Sequence, residues 1–235
     1  MANLWRSVRE LLLGLAVLFL INTGALASYY IPTESMVPNL LVGDHLVVSK
    51  YAYGYSNHSI AGVPDVFKGR ILERPVTRGD VAVFHMGEGD QRITYIKRII
   101  GLPGDVIEMR GGALYINGLV ARRARAEDFV YRAPTGDVVR RAQYRETLPN
   151  GRSYMTLDLT REGRGDNAGP YTVPAGHYFA MGDNRDNSAD SRWPLGDGLG
   201  FIPAENFVGR AEAILWSWAG LPGIFRTERT FSSLR

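Results

Sequence analysis

Apolar positions follow two regimes along this chain. Residues 11–21 form an unbroken apolar run, Asn22 and Thr23 interrupt it, and residues 24–27 extend it. The run sits at the lower edge of the ~20 residues that cross a ~30 Å hydrocarbon core as a helix. Arg6 and Arg9 precede it, partly offset by Glu10. That bias sets residues 1–10 in the cytoplasm, a single-pass anchor over 11–28, and everything after it outside. The same run also reads as the core of a cleavable export signal, because Ala25-Leu26-Ala27 has the A-x-A form of a cleavage site. In both readings the rest of the chain is exported. No later stretch approaches ~18 apolar residues, so one span or none is expected.

Beyond Ser28 the pattern changes to short apolar stretches punctuated by Gly, Pro and Asn-Gly. Such punctuation predicts strands over 45–50, 80–85, 93–100, 106–109, 113–116, 141–148, 152–159, 178–181 and 208–216. Asn117-Gly118 and Asn150-Gly151 are hairpin signals. Little 3.6-residue periodicity occurs outside the anchor, and one short helix is expected over 203–207. The fold class is mainly β. Residues 118–173 are more polar and Arg-rich, and read as an inserted β subdomain without obvious chemistry. The main core is then 29–117 together with 174–235.

Composition removes several kinds of chemistry. The formal net charge is +3, with no concentrated basic helix, so no nucleic-acid partner is expected. Cysteine is absent, which excludes disulfides, thiolate catalysis and Cys-based zinc sites. The four histidines, His45, His58, His85 and His177, do not pair at i, i+4, and no HExxH occurs. No metal and no cofactor are expected. A hydrolase on this chain needs a base supported by neither histidine nor metal.

Three segments carry candidate chemistry. In the first, Pro32 and Pro38 bracket Ser35 and restrict the backbone on both sides. A nucleophile needs that restriction, because attack geometry tolerates little slack. The Thr33 hydroxyl, two residues earlier, could join the Ser35 N–H around an oxyanion. Taken alone, a serine between prolines is an ordinary loop residue. In the second segment, period two puts Ile93, Tyr95, Lys97 and Ile99 on one strand face. Lys97 thus has apolar neighbours, and burial lowers a lysine pKa from ~10.4 toward the range of a usable base. Taken alone, the segment also fits an edge-strand lysine reaching solvent. The third segment, residues 181–192, is dense in Asx residues, serines and arginines. It reads as a polar surface loop or as a satisfied network built from Asp183, Arg185, Asp190 and Arg192. An Asp190–Arg192 ion pair would fit there, with Ser188 orienting a neutral lysine. Asp183, Asp186 and Asp190 lack the spacing of a calcium loop.

Together these segments resemble the bacterial type I signal peptidases. Ser35-Met36 with Pro38 and Leu40 is similar to the family's nucleophile box. Gly43-Asp44 followed by Lys50-Tyr51-Ala52-Tyr53-Gly54 is similar to the next box. Arg78-Gly79-Asp80-Val81, Tyr95-Ile96-Lys97-Arg98 and Gly101-Leu102-Pro103-Gly104-Asp105 match the lysine box in order. Gly182-Asp183-Asn184-Arg185-Asp186-Asn187-Ser188 through Arg192 matches the last. The resemblance covers about residues 29–212.

The resemblance implies a largely antiparallel β catalytic core and a serine endopeptidase with a Ser/Lys dyad. In it Ser35 attacks the scissile carbonyl, Lys97 takes its proton, Ser188 orients Lys97, and the Ser35 N–H and Thr33 hydroxyl hold the oxyanion. Ile31, Pro32, Met36, Leu40, Tyr95 and Ile96 would line the pocket for the residue before the cut. Tyr29, Leu46, Val83 and Ile96 would line the pocket two residues further back. Small pockets fit A-x-A specificity, since a larger side chain would clash. The implied partners are signal peptides of exported preproteins, the lipid bilayer and the export translocon. The implied location is the bacterial inner membrane, N-terminus cytoplasmic, with the catalytic domain on the extracytoplasmic side. The family also favours a retained anchor over a cleaved one.

Three features depart from the family pattern. Thr33 stands where serine is common, residues 193–199 form an insertion with no assigned role, and one span appears where many Gram-negative relatives have two. A self-cleaving repressor-type Ser/Lys peptidase would be soluble and carry a DNA-binding segment. A conjugation-type relative would share the dyad and stays open. A non-enzymatic envelope scaffold gives no reason for these boxes.

Overall fold

The computed structural model describes residues 5–11, 13–14, 24–59, 68–87, 91–132, 136–160, 162–218 and 225–234. In chain order its strands are β1 (Leu26–Tyr30), β2 (Asp44–Ser49), β3 (Val81–Met86), β4 (Ile93–Gly101), β5 (Val106–Arg110), β6 (Ala113–Ile116), β7 (Leu119–Val120) and β8 (Arg122–Arg125). There follow β9 (Phe129–Arg132), β10 (Val138–Thr147), β11 (Ser153–Asp158), β12 (Ala168–Thr172), β13 (His177–Met181), β14 (Ile202–Pro203), β15 (Phe207–Ser217) and β16 (Ser232–Ser233). The ladders between these strands are antiparallel.

The largest sheet runs β1-β2-β15-β3-β4-β13-β14, with β16 on β15. Its centre is buried on both faces, which explains why β3 opens as the continuous run Val81-Ala82-Val83-Phe84. Val81 and Val83 pack with Ile31, Met36, Leu40, Leu46 and Val208 on one face. Ala82 and Phe84 pack with Tyr53, Ile99, Tyr178 and Phe207 on the other. A second sheet, β12-β5-β6-β7, encloses a separate core. There Ile107 and Met109 of β5 point inward against Ile100, Leu114 and Phe179, while Val106, Glu108 and Arg110 alternate outward. The third sheet joins β8, β9 and β11 through the long β10. The expected insertion, 118–173, holds the third sheet whole and lends β7 and β12 to the second.

Each strand expected from the pattern is present, with bounds shifted by a few residues at most. Asn117 and Gly118 both take positive φ and close the β6–β7 hairpin. Residues 149–151 close the β10–β11 hairpin, with Gly151 at positive φ. The helix expected over 203–207 is only a 3-10 turn, Ala204–Asn206, flanked by extended Pro203 and Phe207. Most of the expected anchor, residues 12 and 15–23, lies outside the described residues. Its C-terminal limit needs correction. Leu26, Ala27 and Ser28 are β1 residues paired with Ser49, Val48 and Val47, so the β2 ladder satisfies their backbone groups. Among the described residues no helix is long and apolar enough to cross a membrane.

The C-terminal segment is stitched into this sheet. Arg229 Nη2 donates to Asp44 Oδ2 at 2.5 Å and to the Asn39 carbonyl at 2.9 Å. Arg226 Nη1 lies 3.6 Å from Asp44 Oδ1. Asp44 is fully buried and also accepts the Leu41 N–H, so it braces the turn after Ser35. Arg229→Ala leaves a buried carboxylate with one distant cation, and we expect a loss of roughly 2–3 kcal/mol in urea unfolding. A change below about 0.5 kcal/mol would mean that the exposed-pair limit applies instead.

Candidate active site

Ser35 sits in a turn plugged into the core by its own apolar residues. Met36, Val37 and Leu40 are buried. The Val37 N–H donates to the Glu34 carbonyl at 3.1 Å and the Leu40 N–H to the Met36 carbonyl at 2.9 Å. Asn184 clamps the turn from a distant loop. Its N–H donates to the Ser35 carbonyl and its Nδ2 to the Glu34 carbonyl, both at 3.1 Å. The backbone carrying the hydroxyl is thus fixed at two consecutive carbonyls.

Lys97 lies opposite Ala82 in the β3–β4 ladder and is 4% exposed. Its Nζ is 2.5 Å from Ser35 Oγ. Burial pulls the amine down to about 8, against the opposing pull of Asp190 and Asp183, with Arg192 adding to the lowering. A protonated Nζ donates to the serine oxygen. A neutral Nζ carries a lone pair that can accept a proton.

The charges around the pair are compensated one by one. Arg98 grips Asp183 with two hydrogen bonds of 2.8 Å and donates a third to the Gly79 carbonyl. Its guanidinium stacks 4.0 Å over the Tyr154 ring. Asp190 accepts Nε and Nη2 of Arg192 at 2.9 Å, and the Gly182 N–H at 3.0 Å. Arg185 pairs with buried Glu146, at 2.8 and 2.5 Å, and Glu146 also accepts the Tyr154 hydroxyl. Such fork-to-carboxylate geometry lets buried ions persist despite their desolvation cost.

Ser188 Oγ is buried, lies in the field of Asp190, and makes no hydrogen bond to Lys97 Nζ. It packs on Gly182, where a Cβ would fall 2.3 Å from Ser188 Oγ and 2.5 Å from the Ser35 carbonyl oxygen. Only glycine permits that approach.

The pair closes a groove of about 500 Å³. Tyr29, Ile31, Pro32, Met36, Tyr95 and Ile96 line it, along with Thr33. Leu40, Leu46 and Val83 do not reach its surface; all three are fully buried and back the groove from beneath. Asn184, Glu34 and Gly182 enter the site although sequence reasoning gave them no role. Asn184 and Gly182 belong to the polar loop already singled out, but their contacts lie about 150 residues away in sequence. Nothing local marks them. Among the described residues, one carboxylate group could hold a metal: Asp158, Asp166 and Asp186, within 4.8 Å of one another. Arg123 binds Asp158, while Asp166 and Asp186 accept backbone N–H groups of 159, 160 and 163.

A serine hydroxyl against a buried amine, at the end of a peptide-sized groove in an antiparallel β scaffold, is the outline of a serine endopeptidase. The profile of the family described as signal peptidase, peptidase S26, matches residues 4–216. A signal peptidase I of Rickettsia typhi is 40% identical over 197 residues, covering 80% of this chain and 71% of the relative. One from Rickettsia bellii is 36% identical over 224 residues, covering 92% and 73%. A crystal structure of a signal peptidase I from Enterococcus faecalis V583 is similar at 30% identity, covering 58% of this chain and 97% of that one, with a TM-score of 0.32. The chain belongs to the signal peptidase family, peptidase S26, and is a serine endopeptidase.

Asn184→Ala keeps the backbone clamp on Ser35 and removes the side-chain clamp on Glu34. Activity should fall roughly tenfold in kcat, because small displacements at a reacting centre are costly. Thermal stability should change by only about 1 kcal/mol. An unchanged kcat would show that the turn holds its position without this side chain.

Proposed function

We propose that this chain is a signal peptidase I that cuts exported preproteins after small-x-small sites, with Ser35 as nucleophile and Lys97 as general base. The observation that carries the reading is the 2.5 Å contact between Ser35 Oγ and a buried Lys97 amine lowered to about 8. A base with that pKa is substantially neutral near physiological pH, which an ordinary lysine is not.

The groove suits an extended peptide. The pairing of β13 with β4 stops at Arg98, which leaves the Ile93–Lys97 edge unpaired by β13, and β1 is the terminal strand on the other side. A substrate strand laid between them gains main-chain hydrogen bonds. Alternate side chains of such a strand point to one side, so the residue before the cut and the one two positions back both face the floor. Ile31 and Met36 belong to a packed cluster backed by Leu40, Leu46 and Val83, and cannot retreat for a large side chain. Small residues at alternate positions follow.

In the reaction Lys97 takes the Ser35 proton as Oγ attacks the scissile carbonyl. The Ser35 N–H and the Thr33 hydroxyl receive the oxyanion. Protonated Lys97 then gives its proton to the leaving amine, and the acyl-serine is hydrolysed by a water that Lys97 activates. The buried Ser188 hydroxyl, which also helps to lower the Asp190 carboxyl, is the group that would orient the amine. Asp183, Arg185, Asp190 and Arg192 hold the surrounding loop in charge balance.

Residues 11–28, shortened at Leu26, serve as the membrane anchor of an extracytoplasmic domain at the bacterial inner membrane, beside the translocon that delivers substrates. An aromatic surface supports contact with the bilayer. His45 stacks on Trp216 and meets Tyr30 at a tilt, with ring centroids 4.6 and 5.2 Å apart, and Trp218 and Phe225 are exposed nearby in the chain.

Protein in detergent should cleave a peptide ending its apolar stretch in Ala-x-Ala. Ser35→Ala and Lys97→Ala should each lose at least roughly 10³-fold in kcat. Full activity in either would sink the mechanism. Because the neutral amine is the active form, kcat/KM should rise about tenfold per pH unit below pH 8 and level off above it. A profile flat from pH 6 to 9 would contradict a lysine base.

Stability should report the same burial independently. The folded pKa of Lys97, about 8, lies below the unfolded 10.5, so the cost of the buried ammonium is fully present below pH 8 and fades between pH 8 and 10.5. Lys97→Met should therefore raise Tm at pH 7, with a gain that shrinks across that window. A lowered Tm at pH 7 would mean that the amine is not paying a desolvation cost.

A further inference from the structure

We propose that Glu34, held by Tyr131 of the third sheet, reads the first residues after the scissile bond and favours basic over acidic side chains there. This rests on the peptidase reading above. The third sheet otherwise looks peripheral, yet the Tyr131 hydroxyl donates to Glu34 Oε1 at 3.0 Å, spanning 97 residues of sequence.

Several observations place this contact at the leaving side of the groove. The floor formed by Tyr29–Pro32 and Ile93–Ile96 comes from the residues that precede Ser35 and Lys97 in their two segments. The remaining lining residues are Thr33, Glu34, Met36, Asn187 and Ala189, among which Glu34 is the one charged side chain. A peptide whose acyl part occupies that floor leaves toward these remaining residues, where Glu34 supplies the charge. The Glu34 main chain is pinned through its carbonyl by Asn184 Nδ2 and by the Val37 N–H. With Tyr131 fixing the carboxylate as well, both ends of this residue are held, so its charge stands at a defined point on the rim. The Tyr131 hydroxyl is pushed up to about 12, first by burial and then by the Glu34 bond and charge. Arg141 also acts on Tyr131 and offsets part of this field, which limits the preference to that of a partly exposed charge pair. Such pairs correspond to roughly two- to fivefold in kcat/KM.

The test uses three peptides that share one Ala-x-Ala segment and carry Lys, Gln or Glu at the first two positions after the cut. Full-length protein in detergent should cleave Lys over Glu by about two- to fivefold per position, with Gln between. In Glu34→Gln that ratio should fall to about one. In Tyr131→Phe, which loses only the hydroxyl, it should fall partway. A variant that merely lost stability would slow all three peptides by one factor and keep the ratio. A wild-type ratio of one, or a ratio unchanged in Glu34→Gln, overturns the proposal. Failure to cleave any of the three peptides would instead overturn the peptidase reading beneath it.

Discussion

The site depends on keeping one amine dry. Lys97 reaches Ser35 from the point where β4 passes from its exposed first half into the core, and burial is the largest influence on its protonation. In water the same side chain would be charged at neutral pH and unable to take a proton. The strand that carries this lysine lies inside the largest sheet, between β3 and β13, with β13 pairing only from Arg98 onward. The neighbouring charges are neutralised thoroughly. An unpaired carboxylate close by would restore the ammonium form.

Two consecutive residues of β4 organise the rest. Lys97 contacts Ser35 directly, while Arg98 holds Asp183 and thereby the loop that follows β13. The next residue of that loop, Asn184, returns to the carbonyls of Glu34 and Ser35. Ser35 is therefore tied to β4 by two routes, one through Lys97 and one through Arg98, Asp183 and Asn184. Gly182 makes the closure possible, because any side chain there would collide with Ser188 and with the Ser35 carbonyl. The ion pairs in this circuit cost desolvation energy individually. Their geometry fits a role in fixing register more than in adding stability.

The aromatic edge and the C-terminal segment belong to the same design. Asp44 joins the turn after Ser35 to Arg226 and Arg229, so the end of the described chain braces the start of the site. The exposed Trp216 and Tyr30 lie on β15 and β1, at the side of the sheet where the expected anchor enters.

How much was legible varied with the reach of the interaction. Hydrophobic alternation and turn residues specified the longer strands and the Asn117-Gly118 hairpin, because these are local patterns of period two and positive φ. The Arg-rich β8, the two-residue β7, β14 and β16, and β1 were invisible, since pairing partners rather than their own residues stabilise them. Ser35, Lys97 and the charged loop could be singled out as types suited to chemistry, and their order along the chain suggested a family. The sequence by itself determined which side chains are available for catalysis and that no thiol exists among them. Tertiary structure alone decided that Lys97 is buried against Ser35, that Asn184 clamps the Ser35 turn, and that Leu40, Leu46 and Val83 lie beneath the groove instead of in it. Those outcomes depend on contacts between residues tens to about 150 positions apart, and no local pattern encodes the distance between them.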